Sequence, residues 1–275
     1  MNEIIHYFET IPSLHRALIL AGGITFFWLI ETVNPLFILK YKKWKHAGIN
    51  IFFTITSIIV NFLMAFILLW TSNWTVENHF GILQLANGIN PWIFMITGLL
   101  LLDLIGAYLV HFVEHKVKFL WRFHLVHHSD LWVDTTTANR HHPGESVIRF
   151  VFTTLAVVLV GAPMWMVFLY QSASVVLSQF NHANISLPIK IDKMLSYFIV
   201  SPDMHKVHHH YIMPHTDSNY GNIFSIWDRL FGTFSTINRE DIVYGIDTHM
   251  ELEKNNQLIN LLKTPFKKTQ SFEKQ

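Results

Sequence analysis

The chain has 275 residues, of which 51% are hydrophobic and 14% charged, with a formal net charge of +1. Charge this sparse excludes a soluble globule of this size, in which about a quarter of residues are charged, and the balanced total excludes a nucleic-acid binder, which needs a basic face. The absence of cysteine excludes disulfides and thiolate chemistry. The first nine residues have no basic n-region, so no cleaved signal peptide is expected.

A helix crossing the hydrocarbon core needs about 20 mostly apolar residues. The first such stretch runs from about Leu14 to Leu39, with Glu31 and the Asn34-Pro35 pair marking a bend or exit near its end. Lys40, Lys42, Lys43 and Lys45 form a basic loop, and a second stretch follows from about Ile49 to Trp70. The loop from Thr71 to Asn90 carries Glu77 but no Lys or Arg, and its Trp74, with Trp70 and Trp92 beside it, suits the membrane interface. A third span from Pro91 to His111 is followed at once by Lys116, Lys118 and Arg122. The positive-inside rule then places the loop after the first span, and everything after the third, in the cytoplasm, with the N-terminus outside.

From Val147 to Phe180 the chain is apolar again, broken at Gly161-Ala162-Pro163. The first half is short for a crossing, and both ends carry polar, basic or histidine-bearing sequence. A helical hairpin that enters and returns to one side is therefore expected, rather than one long tilted helix that would separate the histidines. Beyond residue 181 hydrophobicity falls and a cytoplasmic cap begins. The tail from Asn255 to Gln275 has four lysines and is expected to be frayed. The fold class is all-α: a polytopic membrane protein of about three spans plus a helical hairpin, with a cytoplasmic histidine-rich helical cap. No internal repeat is visible, and three regions are assigned: N-terminal spans (1–90), a catalytic region (91–235) and a polar tail (236–275).

Histidine is where the sequence is most informative. Of 18, eight fall in three clusters: His111 and His115; His124, His127 and His128; His205, His208 and His209. Residues three and four apart on a helix share a face, so each cluster aims its imidazoles at one point. Eight converging nitrogens exceed the four to six positions of one first-row ion, and two metals are the economical reading. His182 stands just past the hairpin, at the depth of the clusters. His6, His15, His46, His79 and His249 are read as satisfied polar groups.

Around these ligands, His142, or His141 beside it, is a further candidate ligand, and Glu145 is an acceptor for a ligand imidazole. A capped turn is the competing reading of that Pro-Gly stretch. Asp103, eight residues before His111, is costly inside a span and is assigned to accept a hydrogen bond from a ligand imidazole, with an interhelical hydrogen bond that has no tie to the metals as the competing reading. Asn184, two residues after His182, is taken with Asp103 and Glu145 as an accompanying catalytic residue. Ser201-Pro-Asp-Met204 is a helix-start signal. Asp217 to Asn222 has turn chemistry and carboxamides able to bind imidazoles, and Trp227 to Phe234 reads as a short amphipathic helix ending at Gly232.

An all-nitrogen, redox-capable pair of ions at the headgroup level suits activation of O2 against an unactivated C–H bond. No nucleophile triad, phosphate loop, or flavin or nicotinamide fingerprint is present, so electrons must come from a separate protein and the substrate from the bilayer as a lipid. Two other classes compete. A transporter predicts a polar pathway through the spans, whose strong acids are Asp103 and Glu31. A zinc hydrolase predicts a carboxylate base such as Glu114 or Glu145 beside an open zinc position.

The strings Leu-Trp-Arg-Phe-His-Leu-Val-His-His-Ser-Asp (120–130), Arg-His-His-Pro-Gly-Glu (140–145), Ser-Pro-Asp-Met-His-Lys-Val-His-His (201–209), Asn-Tyr-Gly-Asn (219–222) and Trp-Asp-Arg-Leu-Phe-Gly-Thr-Phe (227–234) resemble the fatty acid hydroxylase superfamily, also called the sterol desaturase family, over about residues 25 to 235. The resemblance implies a non-haem di-iron centre, O2 as oxidant and a hydroxylated or desaturated lipid product. It places metal ligands at His111, His115, His124, His127, His128, His205, His208 and His209, with His182 matching the histidine after the hairpin. In the fatty acid 2-hydroxylase pattern a second histidine precedes that position by four residues. Ser178 stands there in this chain, and His142 is the expected substitute. The implied partners are a lipid substrate and an electron donor of ferredoxin, cytochrome b5 or reductase type.

Overall fold

The computed structural model describes residues 1–85 and 88–267. Its regular structure is helical, with no strand among the described residues beyond isolated bridges such as Pro35 to Ile185. Four helical stretches, Ser13–Val33, Lys43–Leu85, Pro91–Lys116 and Pro143–Val160, are long and apolar enough to cross a membrane. A short helix, α1 (Asn2–Glu9), precedes them.

Helix α2 (Ser13–Val33) ends where Asn34 caps it before Pro35, because proline disfavours helical geometry in the residue before it. Residues 34–39, expected within the first span, instead run alongside the segment after the hairpin: Leu36 N–H donates to Asn184 O (3.0 Å) and Ser186 N–H to Asn34 O (3.0 Å). Helix α3 (Lys43–Glu77) has 35 residues and overruns the expected second span at both ends. Hydropathy marks its lipid-facing middle, where Phe62 is 77% exposed. Its ends are polar and are held by the protein: Asn50 reaches Thr136 Oγ1 (2.9 Å) and Ser72 Oγ reaches Ala162 O (2.8 Å).

The third span is a composite of α4 (Pro91–Asp103), a π-helical segment at Leu104–Leu109, and α5 (Val110–Lys116). Val117 is extended (φ −96°, ψ 109°) and ends it. Helix α6 (Lys118–His128) then leaves at an angle, so the first two histidine clusters face each other across the break.

The hairpin forms as expected from α7 (Pro143–Val160, 18 residues) and α8 (Met164–His182, 19 residues). Its first arm begins four residues earlier than hydropathy indicated, since His142 caps α7 and Pro143 fills its first turn. The arms are therefore nearly equal, about 27 and about 28 Å long at 1.5 Å per residue. Gly161 turns the corner at φ +70°, and a Cβ there would collide with Phe80 O and Gly81. Gly161→Ala is expected to cost at least about 1 kcal/mol from left-handed strain alone, read as a lower thermal midpoint in detergent.

Four short helices build the cap: α9 (Ile189–Leu195), α10 (Pro202–His208), α11 (Ile226–Leu230) and α12 (Leu252–Asn255). The tail departs from expectation up to Lys267. Helix α13 (Leu258–Lys263) buries Leu261 against Ile49, Phe53 and Val126, because Leu258, Leu261 and Leu262 form an apolar stripe at helical spacing. The fully buried Arg140 joins these layers, donating to Val126 O, Asn50 Oδ1 and Asn255 O at 2.8–3.1 Å. The rest of the expected frayed tail, residues 268–275, lies outside the described residues.

Candidate metal centre

The breaks at Val117 and after α8 bring nine imidazoles, from α5, α6, α8 and α10 with its C-cap His209, into two groups. His111, His115, His124, His128 and His208 form one, and His127, His182, His205 and His209 the other. Within each group the ligand-capable atoms all lie within 4.8 Å of one another, and every ring is buried. Nε2 pairs stand 3.0–3.3 Å apart: His111 to His124, His128 to His124, and His182 to each of His127, His205 and His209. Bonds of about 2.0–2.1 Å from imidazole nitrogens to a central ion produce edges near 3 Å.

Hydrogen bonds on the far side of the rings decide what those nitrogens carry. His111 Nδ1 donates to Tyr220 O (2.8 Å), His208 Nδ1 to Ser218 O (2.6 Å) and His182 Nδ1 to Ser178 O (2.7 Å). A carbonyl only accepts, so each proton sits on Nδ1 and each Nε2 keeps a bare lone pair. His124 Nδ1 donates likewise to Glu145 Oε1 (2.7 Å) and His115 Nδ1 to Asp217 Oδ1 (3.2 Å). The Nε2 atoms of His111 and His124, 3.1 Å apart, therefore confront each other as two lone pairs. Nε2 of His115 and of His208 is buried with no hydrogen-bond partner. A cation between the rings resolves both situations, and the residues fit a metal pair. Support is unequal: in the second group, His182 alone has its Nδ1 satisfied, while Nδ1 of His127, His205 and His209 is buried without a partner.

Burial, then the neighbouring imidazoles, hold His124, His127, His128, His205 and His209 well below the ordinary value of 6.5. The rings are therefore neutral, as ligation requires. Because the folded values are depressed, the unfolded chain binds more protons as pH falls through and below 6.5. Stability present above that pH is lost below it. Metal-free protein is expected to show a falling thermal midpoint from about pH 7.5 to about pH 5.5. A midpoint flat across that interval would contradict neutral buried rings.

The other anticipated residues divide. Glu145 Oε1 takes His124 Nδ1, His141 Nδ1 (2.7 Å) and Arg149 Nε (3.0 Å). His141 stacks on His127 with ring centroids 4.8 Å apart. His142, expected as a ligand, joins neither group: its Nδ1 accepts from Gly144 N–H (3.0 Å) as the cap of α7, and its ring packs on Phe123 and Phe266. Asp103 also departs from expectation. It accepts from the N–H groups of Ile223 and Phe224 and from Trp227 Nε1 at 3.1–3.3 Å, and thereby anchors the cap. The π-helical turn between Asp103 and His111 changes the register on which a shared face depended. Asn184 pairs through its side chain with the backbone of Phe37 (3.0 and 2.8 Å), away from both groups. Glu31 accepts from the N–H groups of Thr135 and Asn184, and Glu114 from Arg149 (2.6 Å). His46 is a satisfied polar group, held between Asp130 (2.8 Å) and Asp134 (3.2 Å).

Residue-type reasoning missed the acceptors. The stretch from Asp217 to Asn222 is expected to bind imidazoles through its carboxamides, yet Asn219 Nδ2 serves Met204 O and Ser235 O and Asn222 Nδ2 serves Ser174, while the imidazoles take two backbone carbonyls and the Asp217 carboxylate. A carbonyl carries no residue-type signal.

Fold and site together define a polytopic helical membrane protein with two buried imidazole groups. The profile of the fatty acid hydroxylase family matches residues 95–233, just over half the chain, and the chain belongs to that family. It is similar to the ornithine lipid hydroxylase OlsE of Rhizobium tropici (29% identical over 147 residues, 52% of this chain and 43% of that protein). It is also similar to the alkylglycerol monooxygenase of Danio rerio (30% over 145 residues, 52% and 31%). A third relative is the cholesterol 25-hydroxylase-like protein 1, member 2, of Danio rerio (28% over 154 residues, 55% and 52%). The chain thus spans about a third to a half of these relatives. No solved structure matches it.

Proposed function

We propose that this chain is a membrane-bound di-iron oxygenase that hydroxylates a lipid, with residues 91–235 as its catalytic region. The observation that carries the reading is the set of Nε2 lone pairs turned inward by acceptors behind the rings. His111, His115, His124, His128 and His208 would hold one iron, and His127, His182, His205 and His209 the other. When bound, the pair supplies the oxidising power that turns O2 against an unactivated C–H bond.

The chain's own residues do the rest. Tyr220 O, Ser218 O, Ser178 O, Glu145 and Asp217 fix ring tautomers and orientations, as partners behind a ligand do. Burial of all nine rings excludes water from the oxidant. Glu114 and Glu145, the candidate bases of a hydrolase, are both engaged by Arg149, and Asp103 and Glu31 bind cap and loop N–H groups instead of lining a transport path. The relatives hydroxylate or monooxygenate lipid-like molecules by their names, which favours hydroxylation over desaturation. Basic flanks at Lys40 to Lys45 and Lys116 to Arg122 support a cytoplasmic face for the histidines. Electrons come from a separate donor protein of ferredoxin, cytochrome b5 or reductase type.

The test compares lipid extracts from cells carrying the intact chain and His127→Ala, grown under ¹⁸O2. One lipid gaining a single labelled oxygen with the intact chain alone is the expected result, and it names the substrate. A lipid losing two hydrogens without label would make the chain a desaturase. No difference, in a host supplying reduced donor, would overturn the oxygenase reading.

A further inference from the structure

Hydroxylation needs two electrons per turnover, and the chain has no carrier of its own. The indole of Trp121, part-exposed on α6, leads from the surface to the five-histidine group. Its ring centroid lies 4.8 Å from that of His115, 5.4 Å from His128 and 6.1 Å from His124. Other tryptophan rings pack elsewhere: Trp28 on Trp44, Trp74 on Phe80, and Trp132 on Tyr41 and His46.

The surface beside this indole is basic. Lys118 and Arg122, four residues apart and three and one from Trp121, lie on one flank of α6, and Lys116 precedes them; Lys116 and Lys118 are exposed. No carboxylate occurs between residues 116 and 129. Asp217, the acid nearby, is engaged by Lys116 (2.6 Å) and His115. Arg122 donates to Lys267 O (2.8 Å), which brings the exposed Lys267 beside it.

We propose, resting on the oxygenase reading, that Trp121 with Lys116, Lys118 and Arg122 is the docking and electron-entry surface for an acidic one-electron carrier protein. The overall balance is R–H + O2 + 2e− + 2H+ → R–OH + H2O. A C–H bond breaks, a C–O bond forms, and the second oxygen atom leaves as water. Two reduced carriers are each oxidised by one electron, so the carrier docks twice per turnover. A small, charge-steered contact suits such repeated encounters, and the indole shortens the gap that the electron crosses.

The experiment uses the full chain, iron-loaded, in phosphatidylcholine nanodiscs, with an acidic [2Fe–2S] ferredoxin as the probe. Lys118→Glu with Arg122→Glu is expected to weaken ferredoxin binding about tenfold at low ionic strength, and the gap should close near 1 M salt, where the screening length is about 3 Å. The single exposed reversal Lys118→Glu should give about threefold, which keeps the test open if the double variant fails to fold. Trp121→Leu should slow ferredoxin-driven reduction while affinity holds. Unchanged affinity in the charge variants overturns the proposal. So does loss of binding to phosphatidylserine vesicles with ferredoxin affinity intact, which would make the patch a lipid contact. With the lipid named by the ¹⁸O2 comparison added to the nanodiscs, dithionite separates the two levels: product with dithionite but no effect of charge reversal sinks the docking surface alone, and no product with either reductant sinks the oxygenase reading.

Discussion

Replacing His182 by alanine is expected to remove one of the two irons proposed above and to abolish the proposed hydroxylation, with the spans still folded. His182 Nε2 lies within 3.0–3.3 Å of the Nε2 atoms of His127, His205 and His209, so it is the ring common to these three close Nε2 pairs of the four-histidine group. Its loss leaves three rings whose Nδ1 atoms have no hydrogen-bond partner and which only ring packing orients. Ser178→Ala is the informative companion. His182 binds the Ser178 carbonyl, not its hydroxyl, so this variant should retain both metals and turnover within about twofold, since surface-like changes that touch no partner are nearly neutral. Metal content by elemental analysis, with far-UV circular dichroism as the folding control, checks both. Two irons retained in His182→Ala would remove it from the ligand set.

Chelation is expected to empty the two groups at different rates. In the five-histidine group, four rings are held from behind, two of them by the Glu145 and Asp217 carboxylates. In the four-histidine group, one is. Partners behind a ligand contribute about 10–100-fold in metal affinity, so the four-histidine group should release its ion first and metal loss should be biphasic. Glu145→Gln weakens the acceptor of His124 and should bring the slow phase towards the fast one by a factor of about 10–100. Single-phase release from the unaltered chain, or a slow phase untouched by Glu145→Gln, would show that the carbonyl and carboxylate acceptors do not set affinity.

Much of this protein was legible because its strongest signals are local. Helical periodicity grouped the imidazoles of the first two histidine clusters, one at the end of the third span and one on the helix that follows it. Pro35, the Gly161-Ala-Pro163 break and Ser201-Pro202 punctuated the chain where helices α2, α7 and α10 end or begin. The hairpin followed from a requirement of geometry, since the clusters share a site only if the chain returns. Boundaries drifted where apolarity and helicity part company: α3 continues past its apolar middle because Asn50 and Ser72 are satisfied by loops far along the chain, and hydropathy measures lipid exposure rather than backbone order.

Residue types alone determined that this is an all-α membrane protein with imidazoles enough for two metals. Tertiary structure alone decided how those imidazoles divide. His124 and His128 join His111, His115 and His208, while His127, on the same turn of α6, turns to His182, His205 and His209. It also decided that Asp103 anchors the cap and His142 caps a helix, although both sit beside the clusters in sequence. The physical reason is that a hydrogen-bond acceptor is chosen by distance and direction: a π-helical turn, an extended Val117 and three backbone carbonyls set those directions, and none of them is written in the identity of a side chain.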